Sequence, residues 1–296
     1  MTEDLSKKLV ISAALAGAAT IKSQNPAVPY TPEEFGDEAK KCYDAGAAIV
    51  HIHARDPEIG NPTHELDKIK AVIDNIHEKA PDILINLSSA ISLIVTDKQR
   101  ITPITTFKPP LCSLNSNSMN FAVGDHKTGQ VGLGAKAIFA NSFNTIQKFA
   151  KAMKKAKVKP EIEVYDLGGM FNMLHLAKQK PKVILDPPLH FQFVFNVLGG
   201  IPFSVDNLAH LLRLKPLDAS WSVCGVARGQ FQAGMCAAAI GGHIRVGLED
   251  NIRNIDGDLA KGSWEQVEWA VKVAKIAGRE PATPDEARKI FNLYQQ

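Results

Sequence analysis

Two histidines, His51 and His53, stand two residues apart in the run Ala48-Ile49-Val50-His51-Ile52-His53-Ala54. Alternate side chains of a β-strand share a face, so both imidazoles reach one point beyond the end of this run. There they could ligate a single metal ion; the other reading is two half-exposed histidines with no ion. A third ligand is available in Gly241-Gly242-His243-Ile244-Arg245-Val246-Gly247-Leu248-Glu249-Asp250-Asn251, where His243, Arg245, Gly247 and Glu249 share parity. Two imidazoles, a carboxylate and an open position make a usual catalytic zinc arrangement. Glu249-Asp250 also fits a solvated loop pair, and the spacing alone leaves both open.

Other β-rich runs carry polar pairs of matching parity: Glu161 with Glu163, His190 with Gln192, Ser113 with Asn115, and Asn86 with Ser88. One such residue could be a hydrogen-bonded interior group. Inward-facing polar groups on several strands read as a site, because barrel interiors are filled by branched apolar side chains.

These residues need strands to hold them. Strand-like runs fall at 9–14, 48–54, 83–88, 111–115, 161–165, 190–194, 220–224 and 243–248. A helix opens at Thr31-Pro32-Glu33-Glu34, a capping box with proline at the first helical position, and stops at Gly46. Further helical patterns lie at 66–79, 142–157, 170–178, 205–214, 230–239, 263–277 and 284–294. Eight strands alternating with helices predict a (β/α)8 TIM barrel, with the site at its C-terminal face. An open doubly wound sheet is the runner-up, but the phosphate fingerprint after its first strand is missing.

The chain has 296 residues, with 34 Lys plus Arg against 31 Asp plus Glu and a formal charge of +3. No linker-like or low-complexity stretch divides it, so residues 1–296 read as one barrel domain. The near-neutral balance argues against nucleic-acid and membrane-surface partners. The apolar run at 9–19 is too short to span a bilayer and reads as a buried first strand rather than a signal peptide. Cys42, Cys112, Cys224 and Cys236 show no pairing or metal-finger spacing, which suits thiols in a reducing cytoplasm.

The chain resembles the β-keto acid cleavage enzymes, whose best-known activity is cleavage of 3-keto-5-aminohexanoate. The resemblance is carried by Ile11-Ser12-Ala13-Ala14 with Gly17, Thr31-Pro32-Glu33-Glu34, Val50-His51-Ile52-His53-Ala54-Arg55, Lys108-Pro109 and Leu114-Asn115. It continues through Pro160-Glu161-Ile162-Glu163-Val164-Tyr165, His190-Phe191-Gln192-Phe193-Val194 and Gly242-His243-Ile244-Arg245 to Asn251. It implies zinc held by His51, His53 and Glu249, with Glu163, Arg245 and Asp250 as polar active-site residues. Ser88 falls on a substrate-contacting serine, and Ser113 keeps a hydroxyl where the aminohexanoate enzyme has threonine. That enzyme's ammonium-facing glutamate aligns with Ala19, and a glycine near its substrate aligns with Ile91. Both changes disfavour a cationic tail and favour a neutral or apolar one.

The implied reaction converts a β-keto acid and acetyl-CoA into acetoacetate and a new acyl-CoA by a Claisen-type exchange. Asp250 is the first candidate base and Glu163 the second; Arg245 would stabilise an anion, while Ser88, Ser113 and Asn115 would orient oxygens. Arg228, after the seventh strand, is a candidate contact for the CoA phosphates. The resemblance also implies a homo-oligomer, dimer or tetramer. Cleavage of the aminohexanoate itself, a zinc-dependent barrel hydrolase and a non-enzymatic binding barrel are the alternatives.

Overall fold

A computed structural model describes residues 4–92, 94–125, 128–132, 134–180 and 183–295. Its centre is a closed barrel of eight parallel strands: β1 (Ile11–Ala16), β2 (Ile49–Ile52), β3 (Leu84–Leu87), β4 (Leu111–Asn115), β5 (Lys159–Val164), β6 (His190–Phe195), β7 (Ser220–Gly225) and β8 (His243–Val246). Every strand pairs with its neighbours in sequence, and β8 closes on β1 with Arg245 opposite Ser12. The eight anticipated strands are therefore those of the barrel. The first is set two residues later than anticipated, because Lys8–Leu9 pairs instead with Glu280–Pro281 outside it.

The helices around the barrel are α1 (Pro32–Ala45), α2 (Leu66–Lys79), α3 (Asp97–Phe107), α4 (Phe143–Ala156), α5 (Leu167–Ala177), α6 (Val205–Leu214), α7 (Gly229–Ala239), α8 (Ser263–Ile276) and α9 (Pro284–Ile290). The α1 capping box is formed reciprocally by Thr31 and Glu34. Helix α3 was not anticipated: it carries Pro103 in its interior and has little amphipathic contrast, although Thr96 and Gln99 form a capping box at its start. Outward-facing strand residues such as Ile11, Val50, Ile85, Phe191 and Ile244 are buried beneath the helices. Each large side chain so buried contributes roughly 1.5–3 kcal/mol.

Inside the barrel the two ends differ. At the lower end Val10, Ile49, Leu84 and Leu111 meet Ala287 of α9 and Phe291 just beyond it, and the buried rings of His190 and His243 lie against Phe291. The upper end is polar and carries the site. Residues 116–142, after β4, add two short antiparallel ribbons, Met119–Asn120 with Ile138–Phe139 and Gly124–Asp125 with Gln130–Val131. Met119 and Phe139 turn inward against Tyr165, Val194 and Cys224. All four cysteines are free thiols, with Cys42, Cys112 and Cys224 buried and Cys236 half-buried. Among the described residues no helix is long and apolar enough to cross a membrane.

Candidate active site

His51 faces the barrel interior near the end of β2, opposite Ala14 on β1 and Asn86 on β3, and His53 follows one step above. Glu249 reaches them from β8 across the top of β1. Two glycines allow this crossing. Gly247 has φ 145°, and a Cβ there would lie 2.1 Å from the Ala14 carbonyl oxygen; at Gly17 a Cβ would lie 2.5 Å from Glu249 Cγ. The Glu249 N–H donates to the Ala14 carbonyl at 3.2 Å, which fixes the turn.

The three side chains converge. His51 Nε2 lies 3.7 Å and His53 Nε2 3.5 Å from the Glu249 carboxylate. One ligand atom from each residue lies within 4.8 Å of the others. Two bonds of ~2 Å from one ion at a tetrahedral angle place their donors about 3.3 Å apart, so this spacing fits a single small cation. Among the described residues Glu249 Oε2 is buried without a hydrogen-bond partner, as expected of an oxygen whose partner is an ion. Burial pushes His51 down to about 3, leaving the neutral imidazole that metal binding requires. Burial alone would raise the Glu249 carboxyl, but Arg245 and the two imidazoles hold it well below the ordinary range.

Arg245 organises the remaining charge. Its Nε and Nη2 donate to Asp250 at 2.8 and 2.9 Å, and Nη2 also reaches Glu249 at 2.6 Å. Nη1 points across the barrel to Glu163 at 3.5 Å. This bidentate guanidinium–carboxylate pair is a charge-assisted arrangement with a fixed geometry. Burial raises the Asp250 carboxyl against the pull of Arg245. Burial, with Glu161 and Glu249 nearby, carries Glu163 to about 7 despite Arg245.

The other anticipated residues divide into those near this cluster and those apart from it. Ser88 and Ile91 are buried and line a recess with His53, Ile52, Leu87 and Pro103. The Ser88 hydroxyl accepts the Ala90 N–H at 3.1 Å. Ser113 is fully buried and accepts the Ser89 N–H at 3.0 Å, so it supports the loop after β3. Asn115 accepts the Tyr165 hydroxyl at 3.1 Å. Ala19 is half-buried in the loop after β1, and Arg228 is exposed just before α7, outside the buried cluster.

Sequence reasoning gave no role to three residues that hold the site. Arg55 is 1% exposed; it donates to the carbonyls of Gly17, of Thr20 at 2.8 Å and of Gly60 at 2.6 Å. It thereby ties the loop after β1, which lies against Glu249, to the loop after β2. Arg100 of α3 joins Ser89 to the end of the 116–142 segment through Ala140 and Asn141. Tyr165 bonds Glu163 at 3.0 Å. The partners of Arg55 and Arg100 lie on loops that the closed barrel brings near, so local spacing could not expose them; Tyr165 shares the parity of Glu163 two residues before it, which was its one signal. Arg55 had one signal, a cation immediately after the His-x-His run.

The family model for β-keto acid cleavage enzymes matches residues 8–293. The chain belongs to that family. It is 40% identical over 287 residues to a 3-keto-5-aminohexanoate cleavage enzyme of Fusobacterium nucleatum subsp. nucleatum, covering 97% of this chain and 98% of that protein. It is 32% identical to a 3,5-dioxohexanoate:acetyl-CoA acetone transferase of Paraburkholderia graminis, covering 97% of this chain and 96% of that one. Among solved structures, a binary complex of ObcA with oxaloacetate aligns with a TM-score of 0.69 and 21% identity, over 91% of this chain and 68% of that chain. This last likeness speaks for the barrel fold. Family membership identifies the chain as an enzyme of β-keto acid cleavage and accounts for the shared sequence pattern from the first strand to the last.

Proposed function

We propose that the chain is a single-domain, zinc-dependent acyl exchange enzyme that takes a neutral or apolar β-keto acid and acetyl-CoA to acetoacetate and a new acyl-CoA. The observation that carries this reading is the convergence of His51, His53 and Glu249 beside the Arg245–Asp250 pair. A donor set of two imidazoles and a carboxylate suits zinc. The ion would supply Lewis-acid polarisation of the β-keto acid's oxygens.

Asp250 serves as the base that takes the proton from C2 of the β-keto acid. Its two oxygens are already oriented by Arg245, which also favours the anion near it. C2 then bonds to the acetyl carbonyl carbon as CoA leaves as its thiol. CoA adds to the original keto carbon, the bond from that carbon to C2 breaks, and a proton returns to C2. Acetoacetate and the new acyl-CoA remain, with no covalent link to the protein. Glu163, opposite Arg245, is a second proton-carrying group. Ser88, Ser113 and Asn115 orient substrate oxygens and the loops that bear them. Arg228 offers a cation for the CoA phosphates on the C-terminal face.

Substrate preference follows from the missing carboxylate at Ala19 and the added aliphatic group at Ile91. The test is a panel of neutral, cationic and dicarboxylic β-keto acids assayed with acetyl-CoA. A neutral compound is expected to give the highest kcat/KM; a clear preference for the 5-amino compound overturns the substrate assignment. Turnover without acetyl-CoA would favour the hydrolase reading. The family resemblance supports a homo-oligomer, whose size sedimentation measures, and the four free thiols support a reducing, cytoplasmic location.

A further inference from the structure

The Glu163 carboxyl is held from two sides. One oxygen faces Arg245 at 3.5 Å, and the other lies 3.0 Å from the hydroxyl of Tyr165, the residue following β5. We propose that Tyr165 is a positioning residue for the exchange reaction, fixing the Glu163 carboxyl and the Asn115 amide against each other. The proposal rests on the reading of Glu163 as a proton-carrying member of the site.

Three observations carry it. First, the Tyr165 hydroxyl sits between two acceptors, 3.0 Å from Glu163 Oε2 and 3.1 Å from Asn115 Oδ1. A phenol has one proton, so both contacts are made together when Glu163 carries a proton and donates it to the phenol oxygen. The phenol then donates to Asn115. When Glu163 ionises, the phenol turns its proton to the carboxylate and releases the amide. Second, Asn115 Nδ2 is buried without a partner, so the hydroxyl is what anchors that amide among the described residues. Third, the phenol cannot swing away freely. Its ring meets Phe139 of the 116–142 segment edge-on, 6.4 Å between centroids at 87°, and packs with Met119, Val194 and Cys224. Its own carbonyl accepts the Ile201 N–H at 2.9 Å.

The charged and titratable groups that act on Glu163 are Arg245 on β8, Glu249 just beyond it, Glu161 on its own strand and Tyr165 following that strand, and Glu163 acts in turn on the Cys112 thiol of the outward face of β4. Of these, the Tyr165 hydroxyl is a neutral hydrogen-bond donor. Its removal therefore leaves the local charge unchanged, while the ionised carboxyl loses a donor.

The test compares Tyr165→Phe, Glu163→Gln and the double variant in the metal-loaded full chain. Tyr165→Phe is expected to lower kcat ~10- to 100-fold with KM and bound metal near wild type, and the double variant to be no slower than Glu163→Gln. Carboxyl infrared difference spectra against Glu163→Gln read the Glu163 titration directly; its midpoint is expected to rise in Tyr165→Phe. Site-specific 3-fluorotyrosine at 165, a stronger donor in the same ring, is expected to lower it, which covers a poorly folding Phe variant. Multiplicative losses in the double variant, or a midpoint unmoved by either change, overturn the proposal. Absence of acetyl-CoA-dependent turnover in the unmodified enzyme would instead overturn the functional reading, and the infrared titration would still decide the role of Tyr165.

Discussion

The barrel interior holds four buried histidines, two at each end, and the pairs do different things. At the lower end His243 Nδ1 accepts the Val10 N–H at 3.0 Å, while His190 Nδ1 bonds the Ser220 hydroxyl at 2.9 Å. Both rings lie against Phe291, His190 stacked at 3.7 Å and His243 edge-on at 5.2 Å. At the upper end, His51 and His53 aim Nε2 at one carboxylate, and their Nδ1 atoms have no hydrogen-bond partner among the described residues. Burial lowers His51, His190 and His243 alike, so neutrality does not distinguish a ligand from a packed ring. What distinguishes them is that two imidazoles and the carboxylate of Glu249, whose Oε2 has no hydrogen-bond partner among the described residues, bring their ligand atoms within 4.8 Å of one another.

The comparison can be broken most severely at the upper pair. His51→Ala or Glu249→Ala is expected to remove bound metal, measured by elemental analysis after dialysis, and to lower turnover by at least ~10³-fold. Full activity in a chelator-treated His51→Ala protein would refute the metal assignment. Asp250→Asn comes next: metal stays, and exchange of the C2 proton with deuterium slows by roughly 10²–10⁴-fold. Unchanged exchange would remove Asp250 as the base. At the lower end, His243→Ala is expected to keep its metal but to lose about 2–4 kcal/mol of stability in denaturant titration, through a cavity and an orphaned Val10 N–H. A folded His243→Ala protein without metal would erase the distinction between the ends. The mildest change is Ser220→Ala, which removes the partner of His190 Nδ1 while Glu161 and Ser222 still face Nε2, and is expected to cost about 1 kcal/mol, with turnover unaltered.

Much of this contrast is legible in the sequence. Period-two alternation announced the strands, and parity assigned His51, His53, Glu163, Arg245 and Glu249 to the inside. The interior contacts agree: Asn86 on β3 donates to Glu161 on β5 at 2.7 Å, and Arg245 reaches Glu163 across the barrel. Helix α3 escaped because Pro103 and its threonines mask the helical period; the Thr96–Gln99 box was the clue available. The ribbons of 116–142 escaped for another reason. Strands of two residues carry no pattern, and their placement is decided by Phe139 and Met119 meeting Tyr165. Arg55 and Arg100 could be seen as cations, but not as ties between loops, since their acceptors are loop carbonyls and the Asn141 amide oxygen, brought near only by the closed barrel.

That closure has a consequence for how the protein comes to exist. His51 and His53 lie early in the chain and Glu249 late, and the seam between β8 and β1 joins them. A growing chain holding only the first strands has two imidazoles and no carboxylate to complete the set. Capture of an ion would therefore depend on closure of the β8–β1 seam rather than on any local hairpin or helix. An ion that favours the closed form deepens it by about 4 kcal/mol at a thousandfold excess over its Kd. An ion held there would thus also act as a clasp across the seam between the first and the last strand of the barrel.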